Sequence, residues 1–111
     1  MILDIFEPKR KYYIVKILEK LLQEGIAKFH DPTFDTLNEA IEYEVNYKSM
    51  SEKEATELIV SRNFCDLEII LEMEKLDLVE LIEDNYTQVT YRLTASGKRL
   101  IRDIKLNEIL R

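Results

Sequence analysis

Tryptophan is absent, cysteine and histidine occur once each, and glycine and proline twice each among 111 residues. Each shortage excludes something. A lone cysteine, Cys65, makes no intrachain disulfide, so a small disulfide scaffold is excluded and a reducing, cytoplasmic setting is expected. A lone histidine, His30, has no neighbouring cysteine or second histidine, so zinc-type ligand spacing is missing. There is no phosphate-cradling glycine loop, no Gly-x-Ser-x-Gly and no His-Glu-x-x-His. No catalytic residue, cofactor or metal is therefore expected, and the chain does not read as an enzyme. So little glycine and proline leaves little room for long irregular loops, so most of the chain should be helix. No apolar run approaches the ~18 residues that span a bilayer, and no membrane association is expected. The opening Met-Ile-Leu-Asp-Ile-Phe-Glu has neither a basic start nor an extended apolar run, which argues against a signal peptide.

What is abundant is charge, and it is segregated. Residues 1–30 hold six basic and four acidic groups, residues 31–88 four basic and sixteen acidic, and residues 89–111 six basic and two acidic. An acidic middle lies between two basic ends. No repeat or low-complexity segment divides the chain, so a single domain over residues 1–111 is expected.

Apolar periodicity places the elements. Pro8 suits a first helical position, Ile14, Val15, Ile17, Leu18, Leu21 and Leu22 recur at helical spacing, and Gly25 caps the end. Ile26 to His30 reads either as a short strand or as an extended connector. Asp31-Pro32 marks a boundary, Thr36 and Glu39 have capping-box spacing, and Phe34, Leu37, Ile41 and Val45 form the next stripe. Ser51 and Glu54 open a helix ending near Ser61. Arg62-Asn63-Phe64 turns the chain into a helix from about Cys65 to Lys75, whose apolar residues cover more than half its circumference and suggest packing on more than one side. Glu68, Glu72 and Lys75 share its remaining face. Leu78 to Ile82 and Val89 to Leu93 read as a two-stranded hairpin with the polar tip Glu83-Asp-Asn-Tyr-Thr-Gln, and Thr94 caps a last helix striped by Leu100, Ile101, Ile104, Ile109 and Leu110.

The junction Tyr91-Arg-Leu-Thr-Ala-Ser-Gly-Lys-Arg-Leu, with Leu71-Glu-Met-Glu-Lys-Leu-Asp-Leu-Val-Glu before the hairpin, resembles winged helix-turn-helix regulators of the MarR and PadR types over residues 51–102. The resemblance implies a mainly α winged-helix domain: residues 1–30 as an N-terminal helix, 51–76 as the helix-turn-helix, 77–93 as a two-stranded wing and 94–111 as a C-terminal helix. Terminal helices would then form a homodimer. Asp77 stands where these families usually carry glycine, and the recognition helix and hairpin tip lack their usual arginine and lysine.

Two functions follow from different features. DNA affinity rests on Lys and Arg neutralising phosphates, so DNA binding is expected only through the ends, at Lys9, Arg10 and Lys11 or at Lys98, Arg99 and Arg102. The alternative is a protein-interaction module that presents Glu68, Glu72 and Lys75 to a partner. Other residues have plainer readings. His30 reads as a boundary residue, and Cys65 as a packed apolar group or, at a helix N-terminus, a redox-sensitive thiol. Glu39, Glu42, Glu44, Glu52, Glu54 and Glu57 read as solvated helix faces, and Tyr12-Tyr13 as core or dimer packing or as bases' stacking partners beside Lys9-Arg-Lys.

Overall fold

The computed structural model describes residues 1–30, 36–85 and 87–110, except for the Leu110 side chain. Expectations for Asp31-Pro32, Phe34 and Tyr86 fall outside the described residues. After a short 3-10 turn at Ile2–Ile5 come α1 (Pro8–Glu24), β1 (Ile26–His30), α2 (Leu37–Lys48), α3 (Glu52–Ser61), α4 (Leu67–Lys75), β2 (Val79–Asn85), β3 (Gln88–Leu93) and α5 (Ala95–Leu110). The fold is mainly helical, with five α-helices among the described residues and a small antiparallel sheet in the order β1-β3-β2.

α1 starts at Pro8 and ends at Gly25, whose φ of 78° suits a residue without a Cβ. Ile14, Ile17, Leu18 and Leu21 are buried within the chain itself, where each contributes about 1.5–3 kcal/mol. This removes the reason for expecting α1 to offer apolar surface to a dimer. Nor is residues 1–30 simply an N-terminal helix. Ile26–His30 is a strand that alternates Ala27 and Phe29 inward with Ile26, Lys28 and His30 outward. It pairs with β3 from Ile26 opposite Arg92 to His30 opposite Gln88, so the sheet has three strands where two were expected.

The hairpin forms in the expected place but reaches further. Glu83, Asp84 and Asn85 continue the ladder opposite Thr90, Val89 and Gln88, after a one-residue register shift beside Leu81 and Glu83. The Asn85 side chain closes the tip by accepting from the backbone N–H groups of Thr87 and Gln88. β2 is an edge strand, and the register shift with the charges Glu80, Glu83 and Asp84 blunts that edge.

The junction into α5 has a steric cause. Thr94 Oγ1 accepts from the Gly97 N–H at 3.0 Å and donates to the Asp77 carbonyl, while the Thr94 N–H donates to the Leu78 carbonyl at 3.1 Å. A Cβ on Gly97 would lie 2.0 Å from that Leu78 oxygen, so only glycine lets α5 start against the strand. Asp77 takes up the left-handed conformation, φ 58°, which aspartate tolerates better than most residues. It thus makes the turn that glycine would make.

Candidate interaction face on the helix pair

α3 opens where Ser51 Oγ accepts from the Glu54 N–H at 3.1 Å. Its end turns sharply through Asn63, φ 64°, whose carbonyl accepts from His30 N–H and so anchors the end of β1. His30 itself is an exposed strand-end residue. α1 clamps the following segment. The Tyr13 hydroxyl donates to the Phe64 carbonyl at 3.2 Å and accepts from the Asp66 N–H at 3.0 Å, and the Tyr13 and Phe64 rings meet edge to face. Burial raises the Tyr13 pKa well above the usual tyrosine value. Cys65, between these partners, is fully buried, as expected of a packed apolar group.

Asp66 is the organising residue of this face. Its Oδ1 accepts from Ile69 N–H at 3.3 Å, capping α4, and its Oδ2 accepts from Leu37 N–H at 2.8 Å at the start of α2. One buried carboxylate therefore meets the positive ends of two helices. The N-cap is readable from an aspartate three residues before Ile69. The bond to Leu37 crosses 29 positions and leaves no local signal.

Of the acids on or beside α4, two are structural: Asp66 as described, and Glu74, which accepts from the Tyr91 hydroxyl. That contact and above all burial raise the Tyr91 pKa. Glu68, Glu72 and Lys75 do share the outer face, with Glu72 and Lys75 paired at 3.6 Å. Leu67 and Leu71 also lie at the surface, 41% and 44% exposed. The wide apolar arc of α4 is therefore not packed on two sides within the chain. Its inner part, Ile69, Ile70 and Met73, is core, and its outer part reaches solvent. The hairpin adds exposed Glu83 and Asp84.

The N-terminal basic cluster is already occupied. Lys9 pairs with Glu52 at 3.7 Å, Arg10 with Glu7 at 3.9 Å and with Glu68 at 3.8 Å, and Lys11 with Asp4 at 2.6 Å. The Lys11 hydrogen bond lowers the Asp4 pKa to about 2. Next to this cluster Tyr12 donates to Glu57, and Lys16 and Lys53 approach its ring at 5.2 and 5.6 Å. Burial, then the Glu57 contact, pushes the Tyr12 pKa up to about 12. An open cleft of about 610 Å³ runs along here between α1 and α5, over Val15 and Ile104, but Lys11 and Lys16 on its wall are held by Asp4 and Glu19.

By contrast Lys98, Arg99 and Arg102 are exposed on α5, and among the described residues none of them has an ion-pair partner. The two expected basic sites thus differ: Lys9, Arg10 and Lys11 each have an acidic neighbour within the chain, while Lys98, Arg99 and Arg102 have none among the described residues. Most of the glutamates expected on solvated faces are there. Glu44 departs, being buried at the end of α2 between Arg62 at 3.2 Å and Lys48 at 3.1 Å. Among the described residues no helix is long and apolar enough to cross a membrane. No family model, curated protein or solved structure matches the chain.

Proposed function

We propose that the protein is a winged helix-turn-helix interaction module, in which the outer face of α4 receives a segment of another protein. The observation carrying this reading is the composition of that face. Leu67 and Leu71 stand one turn apart as apolar anchors, flanked by Glu68 and Glu72, whose pairs with Arg10 at 3.8 Å and Lys75 at 3.6 Å are long and solvent-exposed and so exchangeable for a partner's cations. A duplex groove lined by phosphates would be repelled by such a surface. A cationic amphipathic helix is attracted, since it supplies apolar groups for the leucines and positive charge for the glutamates. The sequence resemblance over residues 51–102 and the order α3, turn, α4, hairpin, α5 support the winged-helix assignment.

A second reading, nonspecific DNA binding, is favoured by one observation: Lys98, Arg99 and Arg102 carry no internal partner among the described residues. This reading assigns DNA to α5 and leaves α4 out of the contact. Chemical-shift mapping separates the two readings. A lysine- and leucine-rich helical peptide should perturb Leu67, Glu68, Leu71 and Glu72, and Glu68→Lys with Glu72→Lys should remove the effect. Perturbation confined to α5 with both peptide and duplex would overturn the interaction reading.

A further inference from the structure

The outer face of α2 carries a surface that neither reading uses. Tyr43 and Tyr47 are 57% and 76% exposed, and their rings lie 4.8 Å apart. Both follow Glu39 at intervals of one helical turn, making an acid–aromatic–aromatic ridge opposite the side where Leu37 and Ile41 are buried. Glu39 and neighbouring Glu42 are exposed, and among the described residues neither has an ion-pair partner. Two adjacent exposed tyrosines are unusual surface, because large rigid aromatic rings are the groups that dominate binding where they are covered.

The same chain holds a complementary stripe. On α5, Lys98, Arg102 and Leu106 recur at the same one-turn interval, all exposed, with Arg99 and Ile109 beside them. In a parallel alignment, with about 6 Å between successive positions on each helix, Lys98 falls opposite Glu39, Arg102 opposite Tyr43 and Leu106 opposite Tyr47. These are an ion pair, a cation over an aromatic face and an apolar–aromatic contact. We propose that the α2 ridge Glu39–Tyr43–Tyr47 of one copy docks the α5 stripe Lys98–Arg102–Leu106 of a second copy of this chain. The occupant is chosen by charge and spacing: Lys98 and Arg102 are exposed cations with no ion-pair partner among the described residues, and the period of the stripe matches the ridge. The contact does not involve the outer face of α4, so it stands independently of the function proposed for that face; it shares Lys98 and Arg102 with the DNA reading.

Sedimentation equilibrium of the full chain from low to high micromolar concentration tests it, with folding checked by circular dichroism. The wild type should self-associate, and high salt should weaken the association. Tyr43→Ala with Tyr47→Ala should weaken it more than about tenfold, the loss typical of central aromatic contacts. Glu39→Lys and Lys98→Glu should each weaken it, and an equimolar mixture of these two variants should recover it, because each altered charge then finds its opposite. Glu68→Lys with Glu72→Lys should leave it unchanged, which separates this contact from the α4 face. A wild type that stays monomeric throughout overturns the proposal and leaves the ridge to an arginine-bearing partner of another kind. Folded tyrosine variants that associate as tightly as the wild type overturn it as well.

Discussion

Replacing Asp66 by alanine should be among the most damaging single changes to the helix pair. Its carboxylate accepts from Ile69 N–H at 3.3 Å and from Leu37 N–H at 2.8 Å, and both donors belong to first helical turns that have no other backbone acceptor. Loss of the α4 cap alone costs about 1 kcal/mol. The Leu37 N–H would also lose its acceptor in a buried setting, which adds roughly 1–3 kcal/mol. A total of about 2–4 kcal/mol follows, a large part of the ~5–15 kcal/mol that holds most domains together. Urea unfolding followed by circular dichroism reads this as a midpoint lowered by roughly 1–2 M at an ordinary slope. Asp66→Asn retains one acceptor oxygen and should fall between wild type and alanine. Glu68→Ala, on the same helix but in solvent, should stay within about 0.5 kcal/mol of wild type. If Asp66→Ala were as mild as Glu68→Ala, the claim that this carboxylate ties α2 to α4 would be wrong.

Gly97→Ala should destabilise the fold by several kcal/mol or detach α5 from β2, because the new Cβ would meet the Leu78 carbonyl oxygen at 2.0 Å; thermal unfolding and amide exchange at Thr94–Ile101 measure this, and near-wild-type stability would refute it. Alkali should unfold the protein cooperatively. Tyr12, Tyr13 and Tyr91 all have pKa values raised above the ordinary tyrosine value of 10, Tyr12 to about 12, so the fold favours their neutral hydroxyls. Their contribution is complete below pH 10 and is lost as pH rises above it, so their ultraviolet ionisation should coincide with loss of helix signal. Asp4 has the opposite sign: its lowered pKa stabilises above pH 3.8, and that contribution disappears as pH falls toward about 2, measurable as an acid-side drop in melting temperature that Lys11→Ala reduces, the N-terminal ammonium still pairing with Asp4 at 2.9 Å.

Local signals read most of the fold correctly. Pro8, Gly25, Ser51 and Thr94 act on neighbours within a few residues, so the ends of α1, α3 and α5 follow from them. The hairpin was also legible, since Val89 to Leu93 carries strand-forming residues between a polar turn and a cap. What was not legible depended on distant partners. Ile26–His30 could be read as a strand or a connector, and only residues 88–92 alongside it, more than fifty positions later, decide for the strand. For the candidate site, the acidic outer face of α4 was visible from spacing, but the exposure of Leu67 and Leu71 depends on which side the core takes. For the cluster Lys9-Arg10-Lys11 the sequence shows three charges without their partners. Folding brings Glu52, Glu68 and Asp4 to those three cations. On α2, nothing local in the sequence tells whether Tyr43 and Tyr47 face the core or solvent; the fold leaves both exposed.

If the outer face of α4 takes a protein partner, as proposed, it should repel a duplex. A fluorescence-anisotropy titration of labelled duplex DNA against wild type and Glu68→Ala with Glu72→Ala, at low and high salt, tests it most directly. Binding should be weak and independent of sequence, and should fall steeply with salt. Removing the two acids should leave it unchanged or strengthen it, while Lys98→Ala, Arg99→Ala and Arg102→Ala together should abolish it. A tight, sequence-specific site that is lost with Glu72 would mean that the acidic helix reads bases, and would refute the proposed role of α4.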